Sequence, residues 1–186
     1  MGEFGFNQDK KNILFVGSES PRKNLERVIR ALPLVRKDLD ICFVKVGMQL
    51  EPYHTNLIKL IGELDLENVV HFCDPIPIDR LPTLYNLADL FVFPSLYEGF
   101  GLPPLEAQAC GCPVVTSNET SLPEVVGDAA EKVDPYNHES IAVGMLKVLT
   151  NEKRRLGLIE QGKIQASKFC WEKTAADTLR VYQKVV

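Results

Sequence analysis

Two glutamates bracket one short run, Glu98-Gly-Phe-Gly-Leu-Pro-Pro-Leu-Glu106, and their spacing is the strongest chemical signal in the chain. The run follows an apolar stretch of strand character, Asp89-Leu-Phe-Val-Phe-Pro-Ser95. It opens a helical stretch, Leu105–Cys110, that stops at Gly111. Gly99 and Gly101 allow unusual dihedrals and close approach of a ligand to the backbone. Pro103 and Pro104 suit the first turn of a helix, where a missing amide hydrogen costs nothing. The free amides of such a turn favour an anion. A carboxylate accepts hydrogen bonds from two vicinal hydroxyls at once. One carboxylate before an anion-binding helix start and another inside that helix would hold a sugar on one side of a phosphate and a ribose on the other.

A cationic pair lies upstream. Arg22 and Lys23 follow the apolar run Ile13–Val16 and Gly17, and precede a helical run with Asn24 or Ser20 as its N-cap. Two cations beside a helix start make a diphosphate clamp, each charge-assisted contact contributing ~1.5–3 kcal/mol. On spacing alone, a solvated turn is the competing reading.

The elements that must position these groups alternate along the chain. Strands are expected at Ile13–Val16, Ile41–Val46, Val69–Phe72, Asp89–Phe93 and Pro113–Thr116, with a short sixth at Ala130–Val133. Helices are expected at Leu25–Arg36, about Tyr53–Leu64, Asp79–Leu87 and Leu105–Cys110. Three more follow at His138–Leu149, Asn151–Lys168 and Trp171–Lys184. Pro33 should kink or end the first helix. Short, wholly apolar strands alternating with helices imply an α/β fold, a Rossmann-like parallel sheet sandwiched by helices. Such sheets bind ligands at the carboxyl ends of their strands. Both charged runs fall there, after Val16 and after Phe93.

Length and composition fit one soluble domain. The 186 residues are 45% hydrophobic and 25% charged. The net charge of -4 gives no electrostatic reason to expect nucleic acid. No apolar run approaches the ~20 residues of a membrane span. Residues 1–11 read as a tail, with Met1–Phe4 resembling an expression-tag remnant, and 12–186 as the domain. Five cysteines without repeated spacing are not a disulfide framework, and they suit a reducing cytoplasm. Cys110 and Cys112 read as small buried residues around a helix stop.

The central run resembles the E-x7-E motif of retaining GT-B glycosyltransferases of family 4, the glycosyl transferases group 1, which include mannosyltransferases. Pro94-Ser-Leu-Tyr-Glu-Gly-Phe-Gly-Leu-Pro-Pro-Leu-Glu-Ala107 is similar to that motif almost letter for letter. Gly17-Ser-Glu-Ser-Pro-Arg-Lys-Asn24, Leu84–Asp89, Gly111–Ser117, Leu122–Gly127 and Phe169–Glu172 follow in the family's order. The similarity covers roughly Asn12 to Val185, but only the family's C-terminal, donor-binding half, one half of a GT-B fold.

The resemblance implies roles. Glu98 would be the catalytic carboxylate, bonding a hydroxyl of the donor sugar and steadying an oxocarbenium-like transition state. Gly17, Arg22 and Lys23 would face the donor diphosphate. The amides of Phe100, Gly101 and Leu102 would contact sugar and phosphate, and Glu106 the ribose. Many members carry Arg directly after the glycine, where this chain has Ser18, so Arg22 would take that work. The loop Cys73-Asp74-Pro75-Ile76 would cradle the nucleobase; a plain connection is the competing reading. Glu124 is family-like too, with a structural role equally open.

The implied donor is a GDP- or UDP-linked hexose, mannose among the candidates, with no cofactor and no metal. The implied partner is the missing N-terminal domain, without which the chain would bind but not transfer. A lipid acceptor would bring the intact enzyme to the cytoplasmic membrane face. The alternatives are a nucleotide-binding regulatory module without catalysis and a GT-B sugar-nucleotide epimerase. A dinucleotide oxidoreductase is disfavoured because the Gly17 turn lacks G-x-G-x-x-G, and no P-loop appears. Asp38-Leu-Asp40 has the D-x-D form of metal-dependent glycosyltransferases but reads as a solvated turn. His71 reads as an interior group, and Trp171 as an anchor of the last helix in the core.

Overall fold

The computed structural model describes residues 3–184; Met1 and Gly2 of the presumed tag remnant, with Val185 and Val186, lie outside the described residues. Six strands form one parallel sheet: β1 (Lys11–Val16), β2 (Ile41–Val46), β3 (Val70–Cys73), β4 (Leu90–Phe93), β5 (Val114–Ser117) and β6 (Glu131–Val133). Their spatial order is β3-β2-β1-β4-β5-β6. The chain builds outward from β1 to one edge, then returns beside β1 and builds to the other. That reversal leaves a crevice beyond the carboxyl ends of β1 and β4.

The helices are α1 (Leu25–Arg36), α2 (Tyr53–Glu63), α3 (Leu81–Leu87), α4 (Leu102–Ala109), α5 (Leu122–Val126), α6 (His138–Thr150), α7 (Glu152–Ala166) and α8 (Trp171–Tyr182). They flank the sheet, α1 packing on α6 and α4 on α7. Every residue of β2, β4 and β5 is buried. The pattern has no alternation because both faces of these strands are covered. The Rossmann-like α/β reading therefore holds. Phe6 is also buried, and Asn7 N donates to Asn12 Oδ1, so residues ahead of β1 pack against it.

Several sequence expectations need correction. Pro33 does not end α1, which runs on to Arg36. The proline forfeits one backbone hydrogen bond, a cost of roughly 3 kcal/mol. The buried stripe Leu25, Val28, Ile29, Leu32 and Val35 offsets it, at about 1.5–3 kcal/mol per side chain. Trp171 is not a core anchor: it is 74% exposed, and α8 buries none of its residues. Cys112 is buried as expected, but Cys110, at the end of α4, is only partly so. His71 is partly buried in β3, and burial, with Lys10 nearby, lowers its pKa. Asp38 and Asp40 sit on an exposed turn, where Asp40 pairs with Lys10 at 3.0 Å.

Candidate functional site

The loop leaving β1 begins at Gly17, whose amide donates to Val46 O at 2.9 Å. A 3-10 turn, Pro21–Lys23, then aims two cations across the β1/β4 crevice. Asn24 follows with φ 62, in the left-handed region that Asn tolerates better than most residues. Neither Asn24 nor Ser20 caps a helix with its side chain, contrary to expectation. The Asn24 amide instead donates to Pro94 O at 2.8 Å and to Pro135 O at 2.7 Å. It stitches the α1 start to the loops after β4 and β6. Leu96 N adds a bond to Arg22 O at 2.8 Å.

Glu98 meets both cations. Lys23 Nζ donates to Glu98 Oε1 at 2.6 Å, and Arg22 to Glu98 Oε2 at 3.2 Å. The Lys23 and Glu98 side chains are 11% and 10% exposed, so their attraction is screened far less than a surface pair's. The Lys23 ammonium also sits 4.7 Å from the centre of the Phe93 ring, on its face. The Glu98 loop is held from behind: its amide donates to Thr120 Oγ1, and the Ser121 hydroxyl donates to Glu98 O and Phe100 O.

The helix that follows starts three residues earlier than expected, at Leu102. Gly101, at φ 109, turns the chain into it, and a Cβ there would lie 2.6 Å from Leu122 Cδ2. Gly99 has no such demand; nothing lies within 4 Å of the space its Cβ would fill. Pro103 and Pro104 thus occupy the first turn and remove two of its amides. The amides left to face an anion are those of Gly101 and Leu102. Glu106 lies one turn on, and the Tyr85 hydroxyl donates to its Oε2 at 2.9 Å. Tyr85 is fully buried on α3, and burial beside Glu106 pushes its pKa up, so it stays a donor.

Of the loop expected to cradle a nucleobase, Asp74 and Pro75 are exposed while Cys73 and Ile76 are partly buried. Cys73 O accepts from Gly47 N at 3.1 Å, which sets this loop beside the ends of β2 and β1. The sequence reading assigned no role to Tyr85, Thr120, Ser121 or the Asn24 bridge. Among the described residues, no cluster of three or more His, Cys, Asp or Glu could hold a metal ion. Among the same residues, no helix is long and apolar enough to cross a membrane.

Comparison with known proteins places this geometry in context. Residues 1–165 match the family model described as glycosyl transferases group 1. O-antigen chain mannosyltransferase B of Escherichia coli is 36% identical over 171 residues, spanning 91% of this chain and 45% of that protein. Sucrose-phosphate synthase of Thermosynechococcus elongatus superposes with a TM-score of 0.84 at 25% identity, over 97% of this chain and 46% of its own. HepE of Anabaena, solved with UDP and glucose, gives a TM-score of 0.85 at 22% identity, over 95% and 49%, a likeness of fold. The chain therefore spans about half the length of each of these three proteins.

Proposed function

The chain belongs to the glycosyl transferases group 1 family, and we propose that it is the donor-binding half of a retaining hexosyltransferase. The observation that carries the reading is the meeting of Arg22 and Lys23, from the loop after β1, with Glu98, from the loop after β4. Cations and a carboxylate converge there at the strand ends, and α4 begins four residues after Glu98.

In this reading the diphosphate of a nucleotide sugar lies against Lys23, Arg22 and the α4 start, without a metal ion or cofactor. Charge developing on the leaving diphosphate is stabilised by groups already in place. Glu98 bonds the transferred sugar and steadies its positive character. Glu106, held by Tyr85, takes the ribose hydroxyls, and Cys73–Ile76 faces the base. The anomeric configuration is kept without a protein nucleophile, by attack on the face the leaving group departs from. Mannose is favoured as the sugar by the mannosyltransferase relative. GDP and UDP are the nucleotides to test first, the latter on the HepE complex. Transfer needs the other half of the protein, so this chain alone binds donor and turns over little. The cytoplasm, or the cytoplasmic face of a membrane for a lipid acceptor, is its place.

The test is a thermal shift of the chain with GDP, UDP, ADP and CMP, with and without EDTA. A ligand at ~100 times its Kd stabilises by ~2.7 kcal/mol, roughly 5–10 °C at this size. A shift with GDP or UDP, indifferent to EDTA and lost in Glu106→Ala and Lys23→Ala, is expected. No shift with any nucleotide, or one that needs a metal, overturns the reading.

A further inference from the structure

A second charged network joins the loop after β1 to the loop after β2. Lys45 sits in β2 among apolar neighbours, with its side chain wholly inaccessible, and Glu19 from the β1 loop is equally buried. Lys45 Nζ pairs with Glu19 Oε1 at 3.1 Å and donates to Gly47 O at 2.9 Å and Met48 O at 3.0 Å. Those bonds use all three hydrogens of the ammonium. Glu19 Oε2 accepts from Leu50 N at 2.9 Å, and Oε1 lies 3.0 Å from His54 Nδ1 on the first turn of α2. The His54 ring in turn meets Phe72 of β3 edge-on.

The network joins two backbones that are already in contact. Gly47 takes φ 131, and a Cβ on it would stand 2.5 Å from Gly17 O. Its amide donates to Cys73 O. The loop carrying Arg22 and Lys23 and the loop opening at Cys73 are therefore each set by where residues 47–50 lie.

A buried ion pair is a poor means of stabilising a fold, since apolar residues of like size often serve as well or better. Geometry is what this one supplies. We propose that Glu19, Lys45 and His54 are positioning residues for the donor site. They hold the diphosphate loop and the nucleobase loop in their binding arrangement before any nucleotide arrives. The proposal rests on the donor-site reading above.

The experiment uses the chain with GDP and UDP by calorimetry, on wild type, Glu19→Gln/Lys45→Met, and Glu131→Gln at the far sheet edge. The double variant removes both charges together, so neither is left stranded. It is expected to keep a cooperative melt near the wild-type Tm while its nucleotide Kd rises roughly ten-fold. Glu131→Gln is expected to lower Tm with Kd unchanged. An unchanged Kd in the folded double variant, or an equal rise in Glu131→Gln, overturns the proposal. Should the double variant not fold, amide exchange of the ligand-free wild type decides. Protection at Gly17, Gly47 and Leu50 without nucleotide supports preorganisation, and protection only with nucleotide refutes it. Wild type that binds neither GDP nor UDP removes the donor-site reading, and this proposal with it.

Discussion

Glu98→Gln should make the chain bind a bare nucleoside diphosphate more tightly, although on the proposed function the same change should abolish transfer. In the structure Glu98 is the counter-ion of the cations assigned to the diphosphate, 2.6 Å from Lys23 and 3.2 Å from Arg22. A diphosphate must take those cations from it. The Lys23 pair is nearly enclosed, so its charge-assisted bond should contribute ~1.5–3 kcal/mol. The Arg22 pair adds little, because that side chain is half exposed. Glutamine still accepts a hydrogen bond from Lys23, so the charge-dependent part alone is released, roughly 1–1.5 kcal/mol. Repulsion between Glu98 and the incoming phosphates is removed as well, with the same sign. Kd for GDP or UDP should fall about ten-fold. A nucleotide sugar should gain less, since Glu98 would otherwise regain bonds on the sugar hydroxyls. Titration calorimetry with GDP, UDP and their sugars, at low and at moderate salt, reads both effects. Weaker or unchanged diphosphate binding in a folded variant would refute the argument that Glu98 competes for these cations.

Tyr85→Phe removes the hydroxyl that fixes Glu106 and should weaken nucleotide binding by ~0.5–1.5 kcal/mol. If Glu106 holds the ribose, UDP and 2′-deoxy-UDP should then bind more nearly alike; an unaltered gap between them argues against it. Gly101→Ala forces a Cβ onto Leu122 at φ 109 and should cost ~1–3 kcal/mol of stability in urea melts. Gly99→Ala meets open space and should leave the melt unchanged while lowering affinity for the nucleotide sugar; an equal Tm loss in both would contradict the geometry. Burial works to raise the carboxyl of Glu131, but bonds from Lys147 and Arg154 outweigh it, and its pKa is held below the ordinary value. Its stabilisation should be full above the unfolded carboxylate pKa of about 4.3 and vanish as pH falls through the depressed folded value. Urea midpoints from pH 6 to pH 3 should show the gap to Glu131→Gln closing toward acid, and a gap constant across that range would count against the pairing.

The parts of the molecule that could be read from the chain were those in which residue type alone constrains the backbone. Five apolar runs separated by helical ones admit few arrangements other than a covered parallel sheet; the short sixth strand carries Glu131 and Lys132, and the α5 helix before it was not expected. Glycine and proline around Glu98 and Glu106 located a strand-to-helix turn. What could not be read depended on partners distant in the chain. The start of α4 turns on Gly101 packing against Leu122, twenty-one positions later by the numbering. Asn24 looked like a cap because caps are local, yet its amide finds carbonyls from Pro94 and Pro135. Trp171 looked like core because tryptophan is hydrophobic, but α8 has no described element to cover it. Lys45 is the most instructive miss. A strand read as Ile-Cys-Phe-Val-Lys-Val is apolar on average, and the average conceals its one charge. That charge is wholly buried, and burying it without Glu19 and two carbonyls would cost several kcal/mol. A lysine in such a strand therefore implies a carboxylate waiting in a neighbouring loop. The loop after β1 offers Glu19 directly beside the residues that the motif points to.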